Sequence, residues 1–129
     1  MMMKTSKINW GFLFLKIFIN MKFILTENKR DQLAFRELDK EFSNMYEDVN
    51  YQTDSTGEQK IINYRNGDGI IMIYGDRISV LYICEDVVRP IVFFGYTPKE
   101  AKDVVGKWFS QKFELPVKIV HHVNKSVLN

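Results

Sequence analysis

Two tight-turn signals inside one apolar stretch constrain this chain more than any other feature. Asn66-Gly67 lies between Ile61-Ile62-Asn63-Tyr64 and Ile70-Ile71-Met72-Ile73. Asn-Gly favours a type I′ hairpin, because both central residues need positive φ. Gly75-Asp76 separates Met72-Ile73-Tyr74 from Ile78-Ser79-Val80-Leu81, with glycine in the first place that a type II′ turn prefers. Residues 60–94 therefore read as an antiparallel meander.

Two-residue loops at these positions fix a register. The loop at 75 and 76 sets Ile73 opposite Ile78 and Ile71 opposite Val80. The loop at 66 and 67 sets Ile62 opposite Ile71 and Tyr64 opposite Gly69. Opposed residues share a face. One face then holds Ile62, Tyr64, Ile71, Ile73, Ile78, Val80 and Tyr82. The other mixes Asn63, Arg65, Arg77 and Ser79 with Ile61, Ile70, Met72, Tyr74, Leu81 and Ile83. The first face is expected under helices, and the mixed second face, with Met72, Tyr74, Leu81 and Ile83, is a candidate interface.

Helical periodicity appears twice. Phe35, Leu38, Phe42, Met45 and Tyr46 recur at helical spacing, which predicts an amphipathic helix over 27–46, with Thr26 as its cap. Thr97-Pro98-Lys99-Glu100 is a capping box with proline at the first helical position. Ala101, Val104, Val105, Trp108 and Phe109 form the stripe of that second helix, and Pro116 stops it. Between the first helix and the meander, residues 47–59 are polar and read as a loop. Val87, Val88 and Ile91 to Phe94 read as a further strand, at an edge because Pro90 donates no hydrogen bond. Alternation from Val117 to Val123 predicts a closing strand, and 124–129 a frayed tail.

A chain of 129 residues suits one domain, and 46% hydrophobic content argues against wholesale disorder. The expected architecture is α+β: an antiparallel meander with two helices on one face, in the order α-β-β-β(β)-α-β, over residues 21–129. Residues 1–20 form an apolar extension. Lys4 and Lys7 precede Trp10-Gly11-Phe12-Leu13-Phe14-Leu15, and Lys16 interrupts the run before Ile17-Phe18-Ile19. No small-residue cleavage site follows, and a span needs about 20 apolar residues. The extension reads as dispensable sequence before a true start at Met21, as a membrane-associated helix, or as an element of the fold. Residues 22–25 offer a short strand.

Charge follows the same division. The net charge of +2 becomes −1 without the three lysines of residues 1–20, so the basic balance is weak support for nucleic-acid binding.

Little in the pattern points to catalysis. Cys84 is the one cysteine, which excludes an internal disulfide and suits a reducing compartment, and it reads as a buried thiol. His121 and His122 are adjacent, so a strand turns them to opposite faces and away from a shared metal. No glycine-rich phosphate loop or nucleophile elbow occurs. The expectation is a non-catalytic interaction or structural protein without metal or cofactor. Its partner is protein, either a second copy or another chain, and membrane contact is confined to residues 1–20.

Two resemblances bear on this. The order helix, three strands, helix, with Thr97-Pro98-Lys99-Glu100-Ala101-Lys102, resembles the double-stranded-RNA-binding domain and the lysine-bearing start of its last helix. That likeness implies phosphate contacts by Lys99 and Lys102. The acidic first helix, the missing Gly-Pro-His loop and the strand after the last helix depart from it. Met21-Lys22-Phe23-Ile24-Leu25-Thr26-Glu27-Asn28 resembles the opening of small proteins of large tailed phages, which are similar in plan. It implies an origin, a place in the host cytoplasm or virion, and Met21 as the start, with no site residues.

Overall fold

The first turn of the meander closes one residue later than the Asn-Gly signal places it. The computed structural model describes residues 27–129. In it β1 (Tyr46–Asp54), β2 (Gly57–Asn66), β3 (Gly69–Gly75) and β4 (Val80–Ile83) form the antiparallel part of one sheet. Asn66 faces Gly69, so Gly67 and Asp68 make the loop, with Gly67 at φ 71°. Glycine takes that conformation without a Cβ clash. The ladder then shifts between Tyr64 and Arg65, because Ile71 is an extra residue on β3. Arg65 faces Ile70, yet Tyr64 faces Met72 and Ile62 faces Tyr74.

The later turn moves the partners by two residues and keeps the faces, and the bulge adds the single residue that turns β3 over relative to β2. Ile62 and Tyr64 face the core as expected, but their partners there are Met72, Tyr74, Leu81 and Ile83, all buried. The expected interface on those four residues is thus the core itself. Ile73 and Tyr82, expected inside, are half-buried on the opposite face, and Ile78 is exposed. Ile71 and Val80 are buried as well.

The second turn is longer than expected. Gly75 faces Val80, so the loop is 76–79 and Ile73 meets Tyr82 in place of Ile78. This offset is even, so β3 and β4 keep the face groupings read from sequence. Asp76 anchors the loop: its N–H donates to the Lys60 carbonyl (3.2 Å), and its carboxylate accepts from the Lys60 N–H (3.0 Å).

The region expected to be a loop, 47–59, is a two-stranded ribbon instead. β1 pairs with β2 along its whole length, from Tyr46–Arg65 to Asp54–Gly57. Asp54 Oδ1 accepts from the Thr56 N–H (2.8 Å) and hydroxyl (2.6 Å), which builds the connecting turn.

Helices cover or flank the sheet. The first, α1 (Glu27–Glu41), is shorter than the expected 27–46. Ala34 and Leu38 are its buried line, and Phe42, one residue past its end, continues that line at four-residue spacing. Ser43 and Asn44 compete with helical hydrogen bonding, and Tyr46 enters the sheet. Residues 85–94, of which Val87, Val88 and Ile91 to Phe94 were expected as a strand, form α2 (Glu85–Val88) and a 3-10 helix (Arg89–Phe94) that ends at Gly95, φ 78°. Pro90 sits at the start of that turn, where its missing N–H costs nothing.

The capping box at α3 (Pro98–Phe113) forms as read. The Glu100 N–H donates to Thr97 Oγ1 (3.1 Å), and the Thr97 N–H donates to Glu100 Oε1 (2.9 Å). Val104, Val105, Trp108 and Phe109 are buried. Phe109 lies 5.4 Å from the Tyr74 ring and 5.2 Å from Tyr64, and Trp108 Nε1 donates to Asp39 of α1 (2.8 Å). The geometry is therefore that of two helices meeting over one sheet face.

After α3 the chain returns as β5 (Ile119–His122), shorter than the expected 117–123 and parallel to β4. The expected frayed tail is a short helix, α4 (Lys125–Leu128), with Leu128 buried. The Asn129 side chain bonds both backbone groups of Ile70: Ile70 N–H donates to Oδ1 (2.9 Å) and Nδ2 donates to Ile70 O (3.0 Å). β4 pairs β3 only as far as Met72, so Asn129 satisfies backbone that the ladder leaves open.

The fold is α+β, with sheet order β1-β2-β3-β4-β5 and helices flanking it. Asp31–Asn129 is one compact unit, and Glu27–Arg30 is the opening turn of α1. The expectations for residues 1–20, for the strand at 22–25 and for a start at Met21 lie outside the described residues.

Candidate functional site

The exposed edge of the sheet is strand β1. Each of its nine residues is exposed, and among the described residues β2 is its one strand neighbour in the sheet order. An edge strand presents a row of backbone donors and acceptors that another strand can meet. Tyr46, Val49 and Tyr51 add exposed apolar surface, with Tyr51 64% exposed. The cross-strand register sets Glu47, Val49, Tyr51 and Thr53 on the face that continues Ile62 and Tyr64. Tyr46, Asp48, Asn50, Gln52 and Asp54 lie on the other.

Side-chain pairs stiffen this ribbon. Arg77, in the β3–β4 loop, grips Asp54 through two hydrogen bonds (3.0 and 3.2 Å) and donates to the Gly57 carbonyl (3.1 Å). The Arg77 guanidinium, followed by the Thr56 hydroxyl and amide, holds the Asp54 carboxyl well below the usual carboxylate range. At the other end Arg65 lies 3.5 Å from Asp48, and the Tyr46 hydroxyl donates to the Gly67 carbonyl (3.3 Å). The ribbon therefore offers acids already neutralised by arginines, flanking a central Val49-Asn50-Tyr51.

The residues read from sequence fall elsewhere. Lys99 is exposed and Lys102 half-buried on the first turns of α3. The Glu100 carboxylate sits between them in sequence and is held by the Thr97 amide, so the helix start already carries an anion. Farther along, Lys107 reaches Asp31 (4.0 Å) and Lys112 reaches Asp39 (3.5 Å), which sets acids of α1 beside the lysines of α3.

Cys84 is fully buried, and burial pushes its thiol up. His121 and His122 diverge as expected of neighbours on a strand. His121 stacks on Tyr82 (5.4 Å between centroids), and His122 Nε2 lies 3.3 Å from Glu85. Among the described residues no group of three or more His, Cys, Asp or Glu could hold a metal ion. Among the same residues no helix is long and apolar enough to cross a membrane.

The edge strand was not legible as a site. Its one sequence signal is Val49 and Tyr51 two residues apart in a polar run, too short a pattern to mark a strand. A comparison of the chain with family models, with curated proteins and with solved structures found no match.

Proposed function

We propose that this chain is a non-catalytic interaction protein that works through strand β1. The exposure of all nine residues of a paired edge strand carries this reading. Strand addition supplies affinity through main-chain hydrogen bonds and selectivity through alternate side chains. The ribbon suits that use, since Arg77 and Arg65 fix its ends before any partner arrives. In this reading the chain serves a large tailed phage, which rests on the 21–28 resemblance alone.

A photo-crosslinking phenylalanine analogue at position 51, in the full chain and in its native host, tests the proposal. A defined protein adduct is expected at 51, and it should vanish when Asn50→Lys places a charge in the middle of the edge. Adducts that persist in Asn50→Lys, or none at 51 alongside nucleic-acid adducts from a probe at Lys99, overturn it. The latter result would favour the RNA-binding reading of Lys99 and Lys102.

A further inference from the structure

We infer that the partner of β1 is a second copy of this chain, paired antiparallel about Asn50, so that two sheets join into one. This rests on the reading of β1 as the working edge. The argument is charge and side-chain complementarity along the strand.

A two-fold axis through Asn50 sets Tyr46 opposite Asp54, Glu47 opposite Thr53, Asp48 opposite Gln52 and Val49 opposite Tyr51. No acid meets an acid. The apolar pair Val49–Tyr51 occurs twice, on the face that continues Ile62 and Tyr64. Asn50 meets its own copy on the axis. All of β1 is used, and the core-facing sides of the two sheets stay aligned.

Neighbouring registers fit less well. Alignment of the two faces restricts slips to two residues at a time. A slip one way sets Asp48 against Asp54. A slip the other way leaves Thr53 and Asp54 without a strand partner and sets Glu47 against Tyr51. An in-register parallel pairing sets Glu47 against Glu47 and Asp48 against Asp48. Like charges directly opposite are unfavourable. In the antiparallel register Glu47 faces the neutral Thr53, and the two aspartates are already offset within each copy, Asp48 by Arg65 and Asp54 by Arg77. An isologous contact of this kind closes on itself and consumes the open edge, so pairing stops at two copies.

Single cysteines read the register directly. Native Cys84 is fully buried and stays out of the reaction. Full-length Asn50→Cys treated with a short bis-maleimide should give a covalent dimer at least tenfold faster than Thr53→Cys. The two Thr53 positions lie far apart along the paired strands, since each faces Glu47. Mixed Glu47→Cys and Thr53→Cys proteins should link to each other. Equal rates at 50 and 53, or no dimer at 50, overturn the self-pairing. If no dimer forms at 50 while the probe at 51 captures a different protein in an Asn50→Lys-sensitive way, β1 remains the working edge with another occupant. If both experiments give nothing, both readings fall.

Discussion

The two edges of this sheet are built in opposite ways. β5 is four residues long, runs parallel to β4, and lies under α3 at a point where Gly106 meets Val120. β1 is nine residues long, antiparallel and exposed throughout. Proteins blunt edges by shortening or covering them, and β5 is short and has α3 packed on Val120. The difference separates what the chain needs for folding from what it can offer to a partner. Large stability effects should therefore cluster at the helix-covered part of the sheet, and small ones along β1.

The sharpest contrast is Phe109→Ala against Tyr51→Ala. Phe109 is fully buried between the Tyr64 and Tyr74 rings, and its truncation should cost about 3–5 kcal/mol in urea unfolding. Tyr51→Ala should stay within about 0.5 kcal/mol, measured on dilute protein. Equal losses would break the comparison. Next comes Gly106→Ala. Its Cβ would lie 2.9 Å from Val120 Cγ2, so α3 and β5 must separate, at a cost of about 1–3 kcal/mol. Adding Val120→Ala should recover part of that loss, while a double mutant no better than its parent would show that the contact is not the cause.

Asn129→Ala should cost about 1–2 kcal/mol, because it strips the Ile70 N–H and carbonyl of their partner. Amide exchange at Ile70 should quicken more than at Ile62, which the β-ladder protects. Last is a pH effect that vanishes near neutrality. Burial, with the Glu47 carboxylate adding to it, raises the Tyr64 phenol above its ordinary value of 10.0, and burial raises Cys84 above 9.0. Both groups are neutral in the fold at neutral pH. Their contribution is whole below those ordinary values and is lost as pH climbs past them toward the folded ones. Urea midpoints should thus fall from about pH 9 upward, less steeply in Tyr64→Phe. Asp54 has the opposite sign: its contribution is present above its ordinary 3.8 and is lost in acid, at the ribbon.

The same contrast explains what could be read from sequence. Both main helices were legible, because burial on one side writes a 3.6-residue period and because Thr97 and Glu100 form a local signature. The α+β class followed from them. β1 was not legible, since a strand exposed on both faces carries no alternation. Residues 87–94 misled for the converse reason. Val87 and Ile91 are buried by helical turns, and a short apolar run looks alike in either state. The tail hid a role carried by one amide group, Asn129, whose partner is 59 residues away. The candidate site was missed with β1, and Lys99 and Lys102 stand on a helix start already occupied by Glu100.

The bulge at Ile71 has a consequence for how this chain can change. Elsewhere an added or lost residue between strands would only lengthen or shorten a bend. Between Gly67 and Met72, one residue decides whether Met72, Tyr74, Leu81 and Ile83 or Ile73, Val80 and Tyr82 lie beneath Phe109. A frame-preserving deletion there exchanges inside for outside in half the sheet. That short segment should tolerate almost no alteration of its length.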